Sequence, residues 1–326
     1  MTETTALQRR LALRQGPEAQ YRRMLEIRLM EEQVNELFAS GSIHGTTHLC
    51  QGQEALAVGL ASVLEPDDVV TATYRSHGMS LALGLTPRSV LGEIMGRSDG
   101  VSEGIGGSMH MCDMSVGLLP TFAIIGAGLP VTAGAALAFQ TLVQPRVSVA
   151  VFGDGATNIG AFHEALNLAA VWKLPAVFIV DNNMYGEYSR IDTTTPFEDL
   201  HRRGGSYAMP SEAIDAMDIK VVQNRVGEAV ARARGGGGPT FIEAKTYRFA
   251  GHSRADTAPY RPEGELDSWR PWDPITLMEH ELCASVNSGI VDSIRQQEAE
   301  SLAQLVKELE SAPLPAERAM FEHVWG

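Results

Sequence analysis

An aspartate and an asparagine, each placed shortly after a largely apolar run, could together hold a hard metal ion. Asp154 follows residues 147–152, and Asn183 follows residues 176–180. Carboxylate and amide oxygens suit Mg²⁺ or Ca²⁺ rather than Zn²⁺, and two protein ligands suit a Mg²⁺ that phosphate oxygens also hold. Gly155 lets a ligand approach the backbone, and a helix N-terminus after it favours an anion. Taken alone, the glycine–aspartate–glycine segment is better explained as a tight turn. Only the presence of Asn183, a second polar tip after the next apolar run, favours a metal site.

The chain between these residues predicts a strand–helix–strand unit. A helix is expected over about residues 159–172, and Pro175 ends it before the second apolar run. Strands joined in this way are parallel neighbours, so both polar tips lie at the carboxyl edge of the sheet, where open α/β sheets bind ligands. We therefore expect an α/β fold, with a parallel sheet flanked by helices.

Another strand end carries a candidate phosphate ligand. Residues 69–73 predict a short strand, and Tyr74 and Arg75 follow it. An arginine at this position can clamp a phosphate with two parallel hydrogen bonds, although a surface arginine in a turn explains the same residues. A metal site at His44 and His48 is disfavoured, because a glycine and two threonines between them oppose the helix that it would need.

The composition argues against several classes of protein. The 326 residues are 44% hydrophobic and 20% charged, which is typical of a soluble globular chain. The net charge of −14 disfavours nonspecific nucleic-acid binding and anionic membranes. Three separated cysteines predict no disulfide framework and fit a reducing cytoplasm, and no apolar run reaches the roughly 18 residues of a membrane span. Met109 replaces the third glycine of a dinucleotide fingerprint, and no GK[ST] phosphate loop occurs.

Several motifs together resemble those of a known enzyme family. Gly153-Asp154-Gly155 followed by Asn182-Asn183 is similar to the thiamine diphosphate motif. Over roughly residues 20 to 326, the chain resembles the α subunit of the thiamine diphosphate-dependent first component of 2-oxo acid dehydrogenase complexes, with pyruvate and acetoin dehydrogenases nearest. The other motifs that carry the resemblance are His48-Leu-Cys-Gln-Gly-Gln-Glu54, Tyr74-Arg-Ser-His-Gly78, Gly106-Gly-Ser-Met-His110 and Gly251-His-Ser253.

This resemblance implies a thiamine diphosphate-binding fold, with thiamine diphosphate and Mg²⁺ as cofactors. The implied metal ligands are Asp154, Asn183 and the backbone carbonyl of Tyr185. The implied cofactor-binding residues are Tyr74, Arg75, Ala123, Ile125, Asp154, Gly155, Ala156, Asn183, Tyr185 and His252.

The resemblance also implies three histidines near the reacting end of the cofactor. They are His48, His77 and His252. We expect them to transfer protons and to stabilise a carboxylate, because imidazole titrates near neutrality. Ser253 matches a regulatory phosphorylation site of animal relatives, although nothing in the chain indicates a kinase. The family usually has glycine where Ala123 stands and a small polar residue before it, so we expect Phe122 to reshape the substrate pocket.

The implied activity is that of an oxidoreductase. Such an enzyme cleaves a carbon–carbon bond beside the carbonyl of a 2-oxo acid, such as pyruvate, or of acetoin, and passes the acyl unit to a lipoyl group. A transketolase-like transfer of a glycolyl unit from a ketose phosphate remains open, as does a cofactor-free scaffold, which Asp154 and Asn183 disfavour. In the family, the carboxylate that activates the cofactor lies on a separate β subunit. We therefore expect an α₂β₂ heterotetramer, with a lipoyl-bearing acyltransferase or another acyl carrier as a further partner.

Three segments are expected along the chain. Residues 1–40 predict an N-terminal helical extension, residues 41–260 the thiamine diphosphate-binding α/β domain, and residues 261–326 a C-terminal helical tail. Within the first segment, residues 1–15 are expected to form a mobile solvated tail before one long helix. In the last, a helix is expected from about 274 to 309. The apolar residues Phe321, Val324 and Trp325 then suggest a docked C-terminus.

Overall fold

A parallel six-stranded sheet organises the protein, whose computed structural model describes residues 5–285 and 288–322. The strands are β1 (Val69–Thr73), β2 (Leu118–Phe122), β3 (Ser148–Gly153), β4 (Ala176–Asn182), β5 (Tyr185–Gly186), β6 (Ser189–Arg190), β7 (Ser211–Asp215) and β8 (Thr240–Lys245). The order in the sheet is β2-β1-β3-β4-β8-β7, and β5 and β6 form a separate antiparallel hairpin. The predicted α/β fold with a parallel sheet is therefore confirmed.

Helices cover both faces of this sheet. They are α1 (Ala6–Leu11), α2 (Pro17–Ala39), α3 (Glu54–Val63), α4 (His77–Leu83), α5 (Pro87–Ile94), α6 (Gly128–Thr141), α7 (Gly160–Trp172), α8 (Ile191–Thr194), α9 (Ile219–Arg234), α10 (Glu265–Trp269), α11 (Pro274–Ser285), α12 (Ser288–Glu310) and α13 (Ala319–Glu322). In β4, Val177 and Ile179 belong to one hydrophobic cluster, while Phe178 and Val180 belong to another that includes α6 and α7. Burial on both faces explains why the central strands are continuous apolar runs.

The register of β3 and β4 brings the two polar tips together. The strands pair in parallel with Gly153 opposite Asp181, and α7 connects them as predicted. Asp154 and Asn183 therefore leave the same edge of the sheet from neighbouring strands. This edge is where the sequence predicted a ligand site.

The N-terminal segment is folded, so the prediction of a solvated tail is wrong for the described residues from 5 onwards. Thr5 caps α1, and Leu13 and Arg10 are buried. The Arg10 guanidinium donates to the carbonyls of Ala61 at 3.5 Å and Glu65 at 2.8 Å, at the C-terminal end of α3. Arginines near a helix C-terminus satisfy its free carbonyls, which gives this segment a reason to be ordered.

The C-terminal helices pack on α2 and share its hydrophobic cluster. The predicted helical tail from about 274 to 309 is confirmed for the described residues, as α11 and α12 on either side of residues 286–287, which lie outside the described part. Phe321 is 74% exposed, so the docking predicted for it is wrong, and Val324 and Trp325 lie outside the described residues. The segment boundaries at 40 and 260 stay predictions. Among the described residues, no helix is long and apolar enough to cross a membrane.

Candidate active site

A cavity of about 560 Å³ opens at the carboxyl edge of the sheet. It lies where β1, β2, β3 and β4 end, which is the ligand-binding edge of open α/β sheets. The structure brings eleven of the twelve predicted site residues into its lining: His48, Tyr74, Arg75, Ala123, Ile125, Asp154, Gly155, Ala156, Asn183, Tyr185 and His252.

One part of this cavity has the chemistry of a cation site. Asp154 is 2% exposed, and its Oδ2 has no hydrogen-bond partner among the described residues. Burial raises the pKa of Asp154 to about 7, because a carboxylate without a cation is costly away from water. Asn183 is also buried, and its Oδ1 accepts a 3.4 Å bond from the Tyr185 amide. A hard divalent cation would compensate the carboxylate and take the amide and backbone oxygens beside it.

Two glycines keep this region open. A Cβ on Gly186 would lie 3.5 Å from both Asp154 Oδ2 and the Cα of Gly155, and a Cβ on Gly155 would lie 3.8 Å from the Cα of Gly186. Side chains at either position would therefore fill the space beside the free carboxylate oxygen. The sequence prediction that Gly155 allows a ligand to approach agrees with this spacing.

Two arginines give the cavity an anion site. Arg75 donates to the carbonyl of Leu49 at 2.6 Å and to that of His252 at 2.8 Å, and it has no ion pair among the described residues. Burial, aided by the charge of Arg248, lowers the pKa of Arg75 to about 10. Arg248 is 1% exposed and makes contacts of 3.0–3.5 Å to carbonyls and to the Tyr260 hydroxyl. Two guanidinium groups without carboxylate partners favour a bound phosphate group.

Arg248 is the functional residue that the sequence predictions missed. It follows β8, whose carboxyl end lies beside that of β4 in the sheet. The signal was a second tyrosine–arginine pair, Tyr247-Arg248, placed after a strand in the same way as Tyr74-Arg75. Asp181 was also missed as a lining residue, and burial raises its pKa to about 6.

Two histidines meet at the cavity surface. The rings of His48 and His252 are 5.0 Å apart between centroids, and the Tyr74 ring lies 4.2 Å from that of His48. Burial, followed by the charge of Arg75, lowers the pKa of His48 to about 3 and that of His252 to about 4. Neither Nδ1 has a hydrogen-bond partner among the described residues. Both rings are therefore neutral near pH 7, and each has a ring nitrogen that is free to form a hydrogen bond.

The structure does not bring His77 into the cavity lining. Its side chain is fully buried, with Nδ1 2.7 Å from Glu31 Oε1 and Nε2 2.8 Å from Ser108 Oγ. Both ring nitrogens are thus engaged behind the wall. The predicted role of His77 in proton transfer stays a prediction, and its position favours a role through its neighbours.

The segment after β2 forms the outer wall. Phe122 and Ala123 line the cavity, and Ile125 lines it while remaining 46% exposed. The Phe122 ring lies near Gly128, where a built Cβ would be 3.5 Å from its Cδ2. Phe122 thus lines the cavity and packs beside α6, and its predicted effect on the substrate pocket stays a prediction.

The loop that carries His252 and Ser253 is tied back on itself. Asp256 accepts bonds from the His252 amide at 2.6 Å and from the Tyr260 hydroxyl at 2.7 Å. The Arg254 amide donates to the Thr47 carbonyl at 3.0 Å, which fixes the loop against the segment that leads to His48. These contacts hold the two cavity histidines in one place.

Thiamine diphosphate with a divalent cation fits this set of donors. The cation site is the unpartnered carboxylate of Asp154 beside Asn183, and the diphosphate site is the pair Arg75 and Arg248. Ala123 and Ile125 offer apolar wall and backbone to an aromatic ring. The residues present therefore satisfy the cofactor that the sequence resemblance implies.

Comparisons with known proteins agree with this geometry. The model of the dehydrogenase E1 component family matches residues 22–323. The chain is 39% identical over 306 residues to subunit alpha of the acetoin:2,6-dichlorophenolindophenol oxidoreductase of Bacillus subtilis, covering 94% of this chain and 92% of that protein. It is 39% identical over 311 residues to the pyruvate dehydrogenase E1 component subunit alpha of Zymomonas mobilis, covering 93% and 87%. The chain belongs to the dehydrogenase E1 component family.

Proposed function

We propose that this chain is the α subunit of a thiamine diphosphate-dependent dehydrogenase that acts on a 2-oxo acid such as pyruvate, or on acetoin. The observation that carries the proposal is one cavity lined by Asp154, whose Oδ2 has no partner among the described residues, together with Arg75 and Arg248. Relatives named as acetoin and pyruvate dehydrogenase subunits support this activity and disfavour the ketose transfer alternative.

The chain would hold the cofactor through its diphosphate. Asp154, Asn183 and the carbonyl of Tyr185 are the proposed ligands of Mg²⁺, and Arg75 and Arg248 neutralise the diphosphate, with Tyr74 beside them. When bound, thiamine diphosphate supplies the carbon nucleophile and the electron sink that carbon–carbon cleavage requires. The protein supplies binding and orientation, because charge that is fixed in a dry cavity needs no reorganisation during the reaction.

His48 and His252 are the proposed proton-transfer groups. Their lowered pKa values keep both imidazoles neutral near pH 7, and an anionic diphosphate beside Arg75 would raise these pKa values toward the range useful for proton transfer. A neutral ring can also donate a hydrogen bond to a substrate carbonyl or carboxylate. The Asp256 carboxylate holds the backbone of His252 beside the cavity.

A β subunit would complete the site. Relatives named subunit alpha support such a partner. Among the described residues that line the cavity, the carboxylates are Asp154, Asp181 and Glu187, and all three belong to the side formed by β3, β4 and the β5–β6 hairpin. Ile125, which lines the cavity after β2, is apolar and 46% exposed, which fits a protein surface that a partner covers. We propose that the partner supplies the activating carboxylate there, within an α₂β₂ heterotetramer.

The acyl acceptor and the location of the enzyme complete the proposal. We propose a lipoyl-bearing acyltransferase, or another acyl carrier, as the acceptor, and the cytoplasm as the compartment. The low number of separated cysteines supports a reducing environment.

A substrate screen tests the function. The chain is co-purified with its β subunit and given thiamine diphosphate, Mg²⁺ and an artificial electron acceptor. Pyruvate, acetoin, branched 2-oxo acids and ketose phosphates are compared by reduction of the acceptor. Reduction with pyruvate or acetoin supports the proposal, whereas turnover of a ketose phosphate alone contradicts it.

A further inference from the structure

A buried chain of hydrogen bonds runs behind the cavity wall. It joins Glu31 on α2, His77 at the start of α4 and Ser108 in the glycine-rich loop 96–117. Glu31 and His77 are fully buried, and Ser108 is 7% exposed. The Glu31 carboxylate also accepts the Cys50 amide at 3.3 Å and faces the Cys50 thiol at 3.6 Å. The His77 Nδ1–Glu31 Oε1 distance is that of a short hydrogen bond, whichever of the two atoms carries the proton.

Each link of this chain lies next to a residue that lines the cavity. Cys50 lines it directly, His77 comes two residues after Arg75, and Ser108 precedes Met109. The hydrogen bonds therefore tie three separate parts of the wall to one helix. Because these hydrogen bonds are buried, water could replace them only if the surrounding core opened.

The geometry resembles that of an acid–histidine–serine triad, but its surroundings exclude a nucleophile. Ser108 is buried and does not line the cavity. The neighbouring amides of Gly106 and Gly107, which could stabilise an oxyanion, donate instead to the buried Glu93 carboxylate at 2.7 and 2.9 Å. The chain of bonds therefore positions residues rather than attacking a substrate.

We propose that Glu31, His77 and Ser108 form a positioning unit for the reaction. His77 does not touch the substrate. It acts through Glu31 and Ser108 to hold Cys50, Arg75 and Met109 at their places in the wall. This inference rests on the proposed function, because the wall in question is that of the proposed cofactor site.

Variants of the assembled enzyme separate this role from direct catalysis. Ser108→Ala removes only the hydroxyl that bonds His77 Nε2. His77→Asn keeps a donor for Glu31 but is too short to reach Ser108. His77→Gln keeps the reach to Ser108 but loses the donor at the Nδ1 position, so it tests the loop end of the series alone. The control is Ser102→Ala, which makes the same change in the same loop, where the Ser102 hydroxyl has only a 3.4 Å contact to the His110 carbonyl.

Three measurements are made on the variants. Hydrogen exchange of the loop amides is followed without cofactor, and kcat and KM are measured with pyruvate and acetoin. In the proteins that keep His77, its imidazole Nδ1 proton is followed by NMR. We expect Ser108→Ala and His77→Asn each to speed loop exchange and to lower kcat/KM by about tenfold, since each leaves a buried polar group unpaired. The double variant should be no worse than either single one. His77→Gln should restore slow exchange, and the control should match the wild type.

Two results would overturn the inference. One is a Ser108→Ala enzyme that matches the control while His77→Asn loses turnover, because His77 would then act directly. The other is unchanged loop exchange in both variants. Failure of the proposed function has a different signature: the wild type turns over no tested donor, while loop exchange still speeds up in Ser108→Ala and not in the control.

Discussion

Replacing Arg248 with methionine should weaken cofactor binding without weakening the fold. The side chain is 1% exposed, has no ion pair among the described residues, and lines the cavity. A hydrogen bond to a charged group contributes about 1.5–3 kcal/mol, so loss of one guanidinium–phosphate contact should raise the Kd for thiamine diphosphate roughly 10- to 150-fold. This magnitude assumes that Arg75 keeps its own contact with the diphosphate.

The stability of Arg248→Met without cofactor should rise or stay nearly unchanged. Arg248 is a buried charge with no ion pair among the described residues, and replacing such a charge with an apolar chain of similar length is often neutral or stabilising. Its bonds to carbonyls are 3.3–3.5 Å long, so the bond to the Tyr260 hydroxyl at 3.0 Å is the main hydrogen bond that is lost. Without cofactor, the free energy of unfolding should therefore not fall by more than about 1 kcal/mol.

Calorimetric titration and thermal unfolding of the assembled enzyme measure the two quantities. The matched control is Arg202→Met, which removes an exposed guanidinium that lies 4.7 Å from the Phe197 ring, outside the cavity lining. The control should leave the Kd unchanged. An unchanged Kd in Arg248→Met, or a loss of stability as large as its loss of affinity, would refute the assignment of Arg248 to the diphosphate.

Three further changes test other parts of the site. Loss of a residue that only orients a metal ligand typically weakens metal binding about 10- to 100-fold. Asp154 is a proposed ligand itself, so Asp154→Asn should weaken Mg²⁺-dependent binding of the cofactor by more than this. Equal Mg²⁺ titrations of the variant and the wild type would contradict this. Burial lowers the pKa of His48 and His252 to about 3 and 4, so below about pH 6.5 each of these histidines binds more protons in the unfolded chain than in the folded one. The raised pKa values of Asp154 and Asp181 act with the opposite sign in the same window, so the test is the difference between two proteins. In denaturant unfolding from pH 6.5 to 4, the wild type should lose stability relative to His252→Gln, and equal slopes would count against it. Phe122→Ser should raise kcat/KM for a branched 2-oxo acid relative to pyruvate by about tenfold, and an unaltered ratio would remove Phe122 from the substrate pocket.

The central part of the fold could be predicted because both faces of its strands are covered. Residues 176–180 are a continuous apolar run within β4, and residues 69–73, which coincide with β1, are valine, alanine and threonine only. Strand β7 gave no such signal, since Ile214 is its one buried residue and the strand lies at the edge of the sheet. Edge strands that face solvent need little apolar surface, so periodicity does not reveal them.

The site could be predicted where its residues follow strand ends. Asp154 and Asn183 follow neighbouring strands, and the parallel register of β3 and β4 brings them to the same edge of the sheet. The environment of His77 could not be read from the sequence, because its partner Glu31 lies 46 positions away on a helix whose packing is set by the whole core. The folded N-terminus was missed for a related reason: Arg10 is ordered by carbonyls at the end of α3, more than 50 positions away.

Reconstitution from separate subunits tests the central claim most directly. This chain, its β subunit and their mixture are each assayed for reduction of an artificial acceptor with pyruvate or acetoin, with thiamine diphosphate and Mg²⁺ present or withheld. We expect turnover only in the mixture and only with thiamine diphosphate, and we expect Asp154→Asn in this chain to remove it. Turnover by this chain alone at the rate of the mixture, or turnover that is independent of thiamine diphosphate, would contradict a cofactor site shared between the two subunits.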